Sequence, residues 1–234
     1  MTRLHGLLLL AAACNQPQTG AEEVLDFTPT ACGYRLIGCD FADAIAVGGA
    51  ISVQIDRRDG GSTIGLDLRS ADATRLVVTP TADLGGRPTW DLSAAAAGAA
   101  RLVAVDGAGD EVDFIDVELV DPIRLGLDKV IGEADGPNPE PPAYDEAWQI
   151  FANQPVGFGV TARRDAGVRV MGRLSVETVL PAGSTLLDHE DAGSDRPSGY
   201  LAISPPIGSY EVSFELTGRP EIKVDAVIRA TPTP

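Results

Sequence analysis

Histidine is nearly missing from this chain of 234 residues: there are two, and His5 lies in the apolar start. Catalysis at neutral pH calls for a group that titrates there or for an activated nucleophile, so acid–base chemistry in the body would fall on His189 alone. Aromatic residues make up only 5%. Trp90, Trp148 and Tyr144 are the candidates for a carbohydrate-stacking platform, and they read more readily as core or loop anchors. The Walker pattern and the G-x-S-x-G elbow are absent, and no cofactor is implied. With 26 Gly and 17 Pro, long helices are disfavoured. Basic side chains are scarce, 18 against 34 acidic ones, for a formal charge of -16. Such a surface repels nucleic acid and anionic headgroups, but not divalent cations or basic partners; solubility is the ordinary reason for it.

What is present begins at the N-terminus. The apolar run from Leu7 to Ala13 follows Arg3 and His5. It is far shorter than the roughly 20 residues of a membrane-crossing helix, and reads as a signal peptide over residues 1–13. Ala11, Ala12 and Ala13 directly before Cys14, in LLLLAAACN, resemble the lipobox of bacterial lipoproteins, in which the chain is cut before a cysteine that carries diacylglycerol. Leu10 stands one place from the favoured leucine slot, which Ala11 holds. The alternative is an ordinary secretory peptide whose cleavage leaves a cysteine near the new terminus. The resemblance implies lipidation at Cys14 and a membrane held through that anchor; Asn15, which is not Asp, favours the outer membrane. Removing Arg3 from the 18 basic groups leaves 17 against 34 acids, a formal -17. The polar stretch NQPQTGAEE extends the reading to a flexible tether over 14–31.

Cys32 and Cys39 are the two remaining cysteines. In an oxidising compartment a disulfide is the first reading; its short loop would contribute about 2 to 2.5 kcal/mol on the chain-entropy account. A two-cysteine metal site is the rival, but neither histidine nor a second pair lies nearby to complete it.

From Phe41 onward apolar residues alternate. Ile51, Val53 and Ile55 share one side, as do Ile64, Leu66 and Leu68, the period of half-buried strands. Breaks at RRDGG, TPTADLGGRP and DGAGD separate them. In GDEVDFIDVELVDP the phase slips: Val112 and Phe114 share one face, then Ile115, Val117 and Leu119 the other, which a bulge or a change of sheet would accommodate. Asp121-Pro122 closes a first domain over 32–122. A second domain follows over 123–234, with a long acidic, proline-rich loop at 132–147. Its turn RRDAG echoes RRDGG. Val212, Phe214 and Leu216 share a face, as do Ile222, Val224, Ala226 and Ile228, so two antiparallel strands joined at Gly-Arg-Pro end the chain.

Gly208-Ser209-Tyr210-Glu211-Val212 resembles the penultimate strand of an immunoglobulin-like sandwich, whose tyrosine hydrogen-bonds back across the corner. Gly98-Ala99-Ala100-Arg101-Leu102 with the strand after it, and FADAIAVGGAISVQI, are similar to the closing and entry strands of bacterial Ig-like domains. The resemblance implies an all-β chain: two immunoglobulin-like β-sandwich domains in tandem after a signal peptide and tether. It also implies a class found in envelope and adhesive proteins, and no activity.

Two other chemistries are weighed. His189 sits among Asp188, Glu190, Asp191 and Asp195, so a small exported hydrolase is an alternative. Asp106, Asp110 and Asp113, with Asp188, Glu190 and Asp191, offer hard oxygen ligands for calcium, although neither stretch matches the EF-hand pattern; a calcium-dependent envelope binding protein is the other alternative. The leading expectation is a non-catalytic, exported, lipid-anchored envelope protein that acts as a binding, spacer or adhesion module toward an envelope or surface protein.

Overall fold

The computed structural model describes residues 18–31, 41–84, 87–132, 148–152, 156–165, 168–180, 185–187, 200–204 and 206–232. Among them the regular structure is β, with no α-helix. The first half runs through β1 (Gln18–Thr19), β2 (Leu25–Ala31), β3 (Ile45–Ala46), β4 (Gly49–Arg57), β5 (Asp67–Ser70), β6 (Leu76–Leu84), β7 (Arg87–Ala94), β8 (Gly98–Val105) and β9 (Glu111–Val120). The second half contains β10 (Arg124–Gly132), β11 (Trp148–Phe151), β12 (Val156–Arg163), β13 (Arg169–Val170), β14 (Arg173–Leu174), β15 (Val176–Val179), β16 (Thr185–Leu187), β17 (Tyr200–Ser204), β18 (Gly208–Leu216) and β19 (Arg219–Thr231).

One sheet of the first half is ordered β1-β2-β4-β7-β6 and the facing one β3-β9-β8-β5. The second half repeats both orders, as β10-β12-β17-β16 and β11-β19-β18-β15. Each half also pairs a short early strand in parallel with its last strand, β3 with β9 and β11 with β19, and every other pair is antiparallel. Assigning letters by position, both halves read A-B-E-D against A′-G-F-C. That is the immunoglobulin-like sandwich order. The chain is all-β, and the repeat that sequence alone leaves degenerate is clear in the strand order, with β1 and β14 added to the sheet of the first half and β13 to that of the second.

Burial follows the alternation. Ile51, Val53 and Ile55 point into a first core with Phe27, Trp90, Leu92 and Leu102. Val212, Phe214, Leu216, Ile222 and Ile228 belong to a second. Trp90 is 3% exposed, so it is a core residue rather than part of a sugar platform.

Three readings change. The tether drawn over 14–31 is already strand from Gln18 onward: β2 pairs with β4 along its length, and Leu25 and Phe27 are fully buried. The first sandwich therefore starts well before residue 32, because the inward residues of β2 fill the core that β4 and β7 leave open. Ile64 does not share the face of Leu66 and Leu68. It is 90% exposed, in a turn closed by the Leu66 amide donating to the Thr63 carbonyl, and β5 begins only at Asp67. Finally, the apparent phase slip in β9 has an unexpected cause. Asp113, Ile115, Val117 and Leu119 form one continuous buried face, with Phe114 on the other and Val112 half-buried against the first core. The register shift lies where Ala104 faces Asp113 and Val105 faces Glu111, so Val112 is the extra residue of a bulge. The inward residue that opens the run is an aspartate.

Candidate functional site

Asp113 has no exposed surface, and a buried carboxylate is costly unless its oxygens are hydrogen-bonded. Here they are. Asp113 Oδ1 accepts from the Glu22 amide at 2.8 Å and from the Phe114 amide at 2.8 Å. Oδ2 accepts from the amides of Val24 at 3.0 Å and Leu25 at 2.8 Å. Residues 20–25 curl around the carboxylate to make this possible. The Gly20 amide donates to the Leu25 carbonyl, the Ala21 amide to the Phe114 carbonyl and the Glu23 amide to the Gly20 carbonyl. Glu23 adopts φ 58°, in the left-handed region. Gly20 is required by close approach, because a Cβ there would run into the Asp113 carboxylate. The result is a nest of backbone N–H groups that closes on a side-chain anion 88 residues or more away in sequence.

This geometry removes Asp113 from the calcium candidates, since its oxygens are committed to amides. Asp106 is engaged through one oxygen. Its Oδ1 accepts from the amides of Ala108 at 2.9 Å and Asp110 at 3.0 Å, and its own amide donates to the Asp110 carbonyl. With Gly109 at φ 90°, residues 106–110 form the hairpin turn between β8 and β9. Asp110 shares that turn. Among the described residues no group of three His, Cys, Asp or Glu side chains lies together as a metal site. Asp188, Glu190 and Asp191, His189, Cys14, Cys32 and Cys39 lie outside the described residues.

A second polar cluster joins the halves. Ser52 Oγ donates to Asp91 Oδ1 at 2.5 Å, and Arg173 of the second half donates to the same oxygen at 3.1 Å. Beside it, Arg173 and Leu174 pair with Ala50 and Gly49, so β14 extends a sheet of the first sandwich. The Ala46 amide donates to the Met171 carbonyl at 2.7 Å and the Met171 amide to the Ala44 carbonyl at 2.8 Å. Met171 is fully buried in the first core, whereas Ala44 and Ala46 pack into the second. Two ion pairs flank the joint, Arg164 with Glu118 at 2.9 Å and Arg219 with Asp121 at 2.9 Å. Gly172 sits at φ 131°, and its Cβ position would lie 3.2 Å from the Gly49 Cα. Neither Asp91 nor Arg173 stands out in the sequence, because each is one polar residue among others in a stretch that mixes polar and apolar side chains.

The tyrosine of the penultimate strand behaves as its resemblance implies. Tyr210 Oη donates to the Ile207 carbonyl at 2.8 Å, three residues upstream at the entry to β18. On the outer face of β8 and β9, Arg101 makes a two-pronged ion pair with Asp116, at 2.8 and 3.0 Å, and lies 3.8 Å over the Phe114 ring. The Arg101 hydrogen bond holds the Asp116 carboxyl below its ordinary value of 3.8.

No family model matches the chain, and no curated protein matches it. Solved structures do. Domains 5-6 of the S-layer protein SbsC align over 81% of this chain and 93% of theirs, at 14% identity and TM-score 0.34. The Yersinia pseudotuberculosis adhesin InvE aligns over 91% of this chain and 61% of its own, at 12% identity and TM-score 0.29. SGBP-B of the Bacteroides ovatus mixed-linkage glucan utilization locus aligns over 83% and 44%, at 11% identity and TM-score 0.33. The chain spans less than two thirds of the latter two. Scores of this size leave the fold assignment to the strand order.

Proposed function

We propose that this chain is an exported, lipid-anchored protein of the bacterial cell envelope that works without catalysis, as a binding, spacer or adhesion module. The observation that carries the reading is the placement of Cys14. It follows Ala11-Ala12-Ala13 at the end of a short apolar run and stands four residues ahead of β1, the start of a body built as two filled sandwiches. Lipid on Cys14 would supply the two or more acyl chains that stable attachment needs. Asn15 favours the outer membrane within this reading, and Cys32 and Cys39 are left to pair with each other.

Of the described carboxylates that sequence offers for metal chemistry, Asp113 is held in the nest and one oxygen of Asp106 caps the hairpin. The joint made by β14 suits a spacer, because backbone pairing holds one sandwich on the other. An envelope or surface protein is the proposed partner of the body. In cells fed radioactive palmitate, the wild-type protein is expected to carry label and to fractionate with membranes, and Cys14→Ala to carry none and to be released or misprocessed. Label retained in Cys14→Ala would refute the lipid anchor.

A further inference from the structure

We infer that the β1–β2 corner of the first sandwich is the surface that faces the lipid headgroups, and that the Asp113 nest sets how close the body stands to them. The inference rests on the proposed lipid at Cys14. Only Asn15, Gln16 and Pro17 separate that residue from Gln18, which already pairs with Phe27. Four residues reach at most about 14 Å when fully extended. A headgroup layer takes up about 5–8 Å of that. The corner is then held within about 10 Å of the headgroup surface, close to the Debye length of about 8 Å at physiological salt.

Pairing of β1 alone, over two residues, is too short to resist detachment. The three amides of residues 22, 24 and 25 bound to Asp113 hold the segment down. Were they released, the free chain would run from Cys14 to Leu25, and its reach would rise to about 38 Å. The corner also has its own charge pattern. Arg58 lies 3.9 Å from Glu23 and 3.7 Å from Asp26, and Glu22 beside them adds another acid. With Arg57 and its partner Asp59 included, four acids stand against two bases, and this net acidic corner, facing a bilayer at this range, favours zwitterionic over anionic headgroups.

The rest of the molecule is directed away from the corner. In β4, Arg57 pairs with Leu25 at the corner end, while Gly49 and Ala50 pair with β14 at the other end. The second sandwich starts from that far end, where Arg219 meets Asp121, and β19 then carries the chain on to Thr231. Ser209 pairs with Arg229 near the outer end of β19. The eight steps of β4 alone, at about 3.3 Å each, put the joint about 26 Å from the corner, and Ser209 lies on the second sandwich beyond the joint.

The test uses the full lipidated chain, floated with phosphatidylcholine vesicles that carry an acceptor dye on a headgroup. A donor dye is placed by non-thiol coupling at exposed Ala21, Thr79 or Ser209, that is at the corner, on the opposite edge of the same sheet, or on the far sandwich. Energy transfer is expected to be strongest at Ala21 and about threefold or more weaker at Ser209, as the spans of tether and strand require. Asp113→Ala, or a ten-residue Gly/Ser insertion after Asn15 should that variant fail to fold, is expected to lower transfer at Thr79, which stays on the folded sheet when residues 20–24 are released, while flotation persists. Anionic vesicles at low salt are expected to lower it too. Flotation with equal transfer at all three sites, or with the strongest transfer at Ser209, would overturn the inference and leave the anchor standing. Loss of flotation together with an unmodified Cys14 by mass spectrometry would overturn the anchor and the inference with it.

Discussion

At the scale of the residue, Asp113 is the position where the chemistry is least replaceable. Truncating it leaves three main-chain N–H groups of residues 22–25 without partners, at about 1–3 kcal/mol each when buried. Asp113→Ala is therefore expected to lower the stability of the first sandwich by about 3 kcal/mol or more. Hydrogen exchange would check the cause: the amides of Glu22, Val24 and Leu25 should lose protection before the strands of the second half do, and unchanged protection would remove the nest from the account. The hydrophobic pattern hides this residue because it treats every aspartate as outward-facing, and Asp113 satisfies its carboxylate with a segment that sequence reads as tether. Asp116 carries a smaller, exposed effect. Its carboxyl is lowered by the Arg101 hydrogen bond, so the pair contributes above the unfolded carboxyl value near 3.8 and loses its contribution as pH falls through the lower, folded value. In an NMR titration the Asp116 carboxyl should move up toward that ordinary value in Arg101→Ala; an identical curve in the variant would break the attribution.

At the scale of the element, alternation was enough to find β4, β18 and β19, since each presents a run of apolar residues at every second place. It missed β2, whose inward residues are Leu25, Phe27 and Pro29, because only two of the three are large apolar side chains and the third is a residue depleted in strands. It also extended β5 too far, to Ile64, where a turn intervenes. Residues 173–174 form a strand for a reason outside their own sequence: β14 exists because the edge available at Gly49 and Ala50 accepts it. This makes Gly172 sensitive. A side chain there combines a backbone angle that glycine alone adopts freely with a contact on Gly49, and Gly172→Val is expected to cost about 1–3 kcal/mol of docking and folding stability. The check is chemical denaturation followed at both halves; coincident, unshifted transitions in the variant would show that the joint tolerates the side chain.

At the scale of the whole molecule, the two sandwiches share more than a linker, because Met171 is buried in the first core while Ala44 and Ala46 belong to the second. Both halves are expected to tumble together, with one rotational correlation time from backbone nitrogen relaxation. Two distinct times would mean that the joint opens in solution. By itself the sequence determined the all-β class, the alternation of the central and final strands and the tyrosine at the entry to β18, because each depends on residues close together in the chain. Only the tertiary structure decided the role of Asp113, the true start of the first sandwich and the pairing of β14 with β4. Those depend on partners from about 20 residues apart, for β2 on β4, to 88 or more, for Asp113 and for β14, whose meeting is set by how sheets stack and by which buried polar groups must be satisfied.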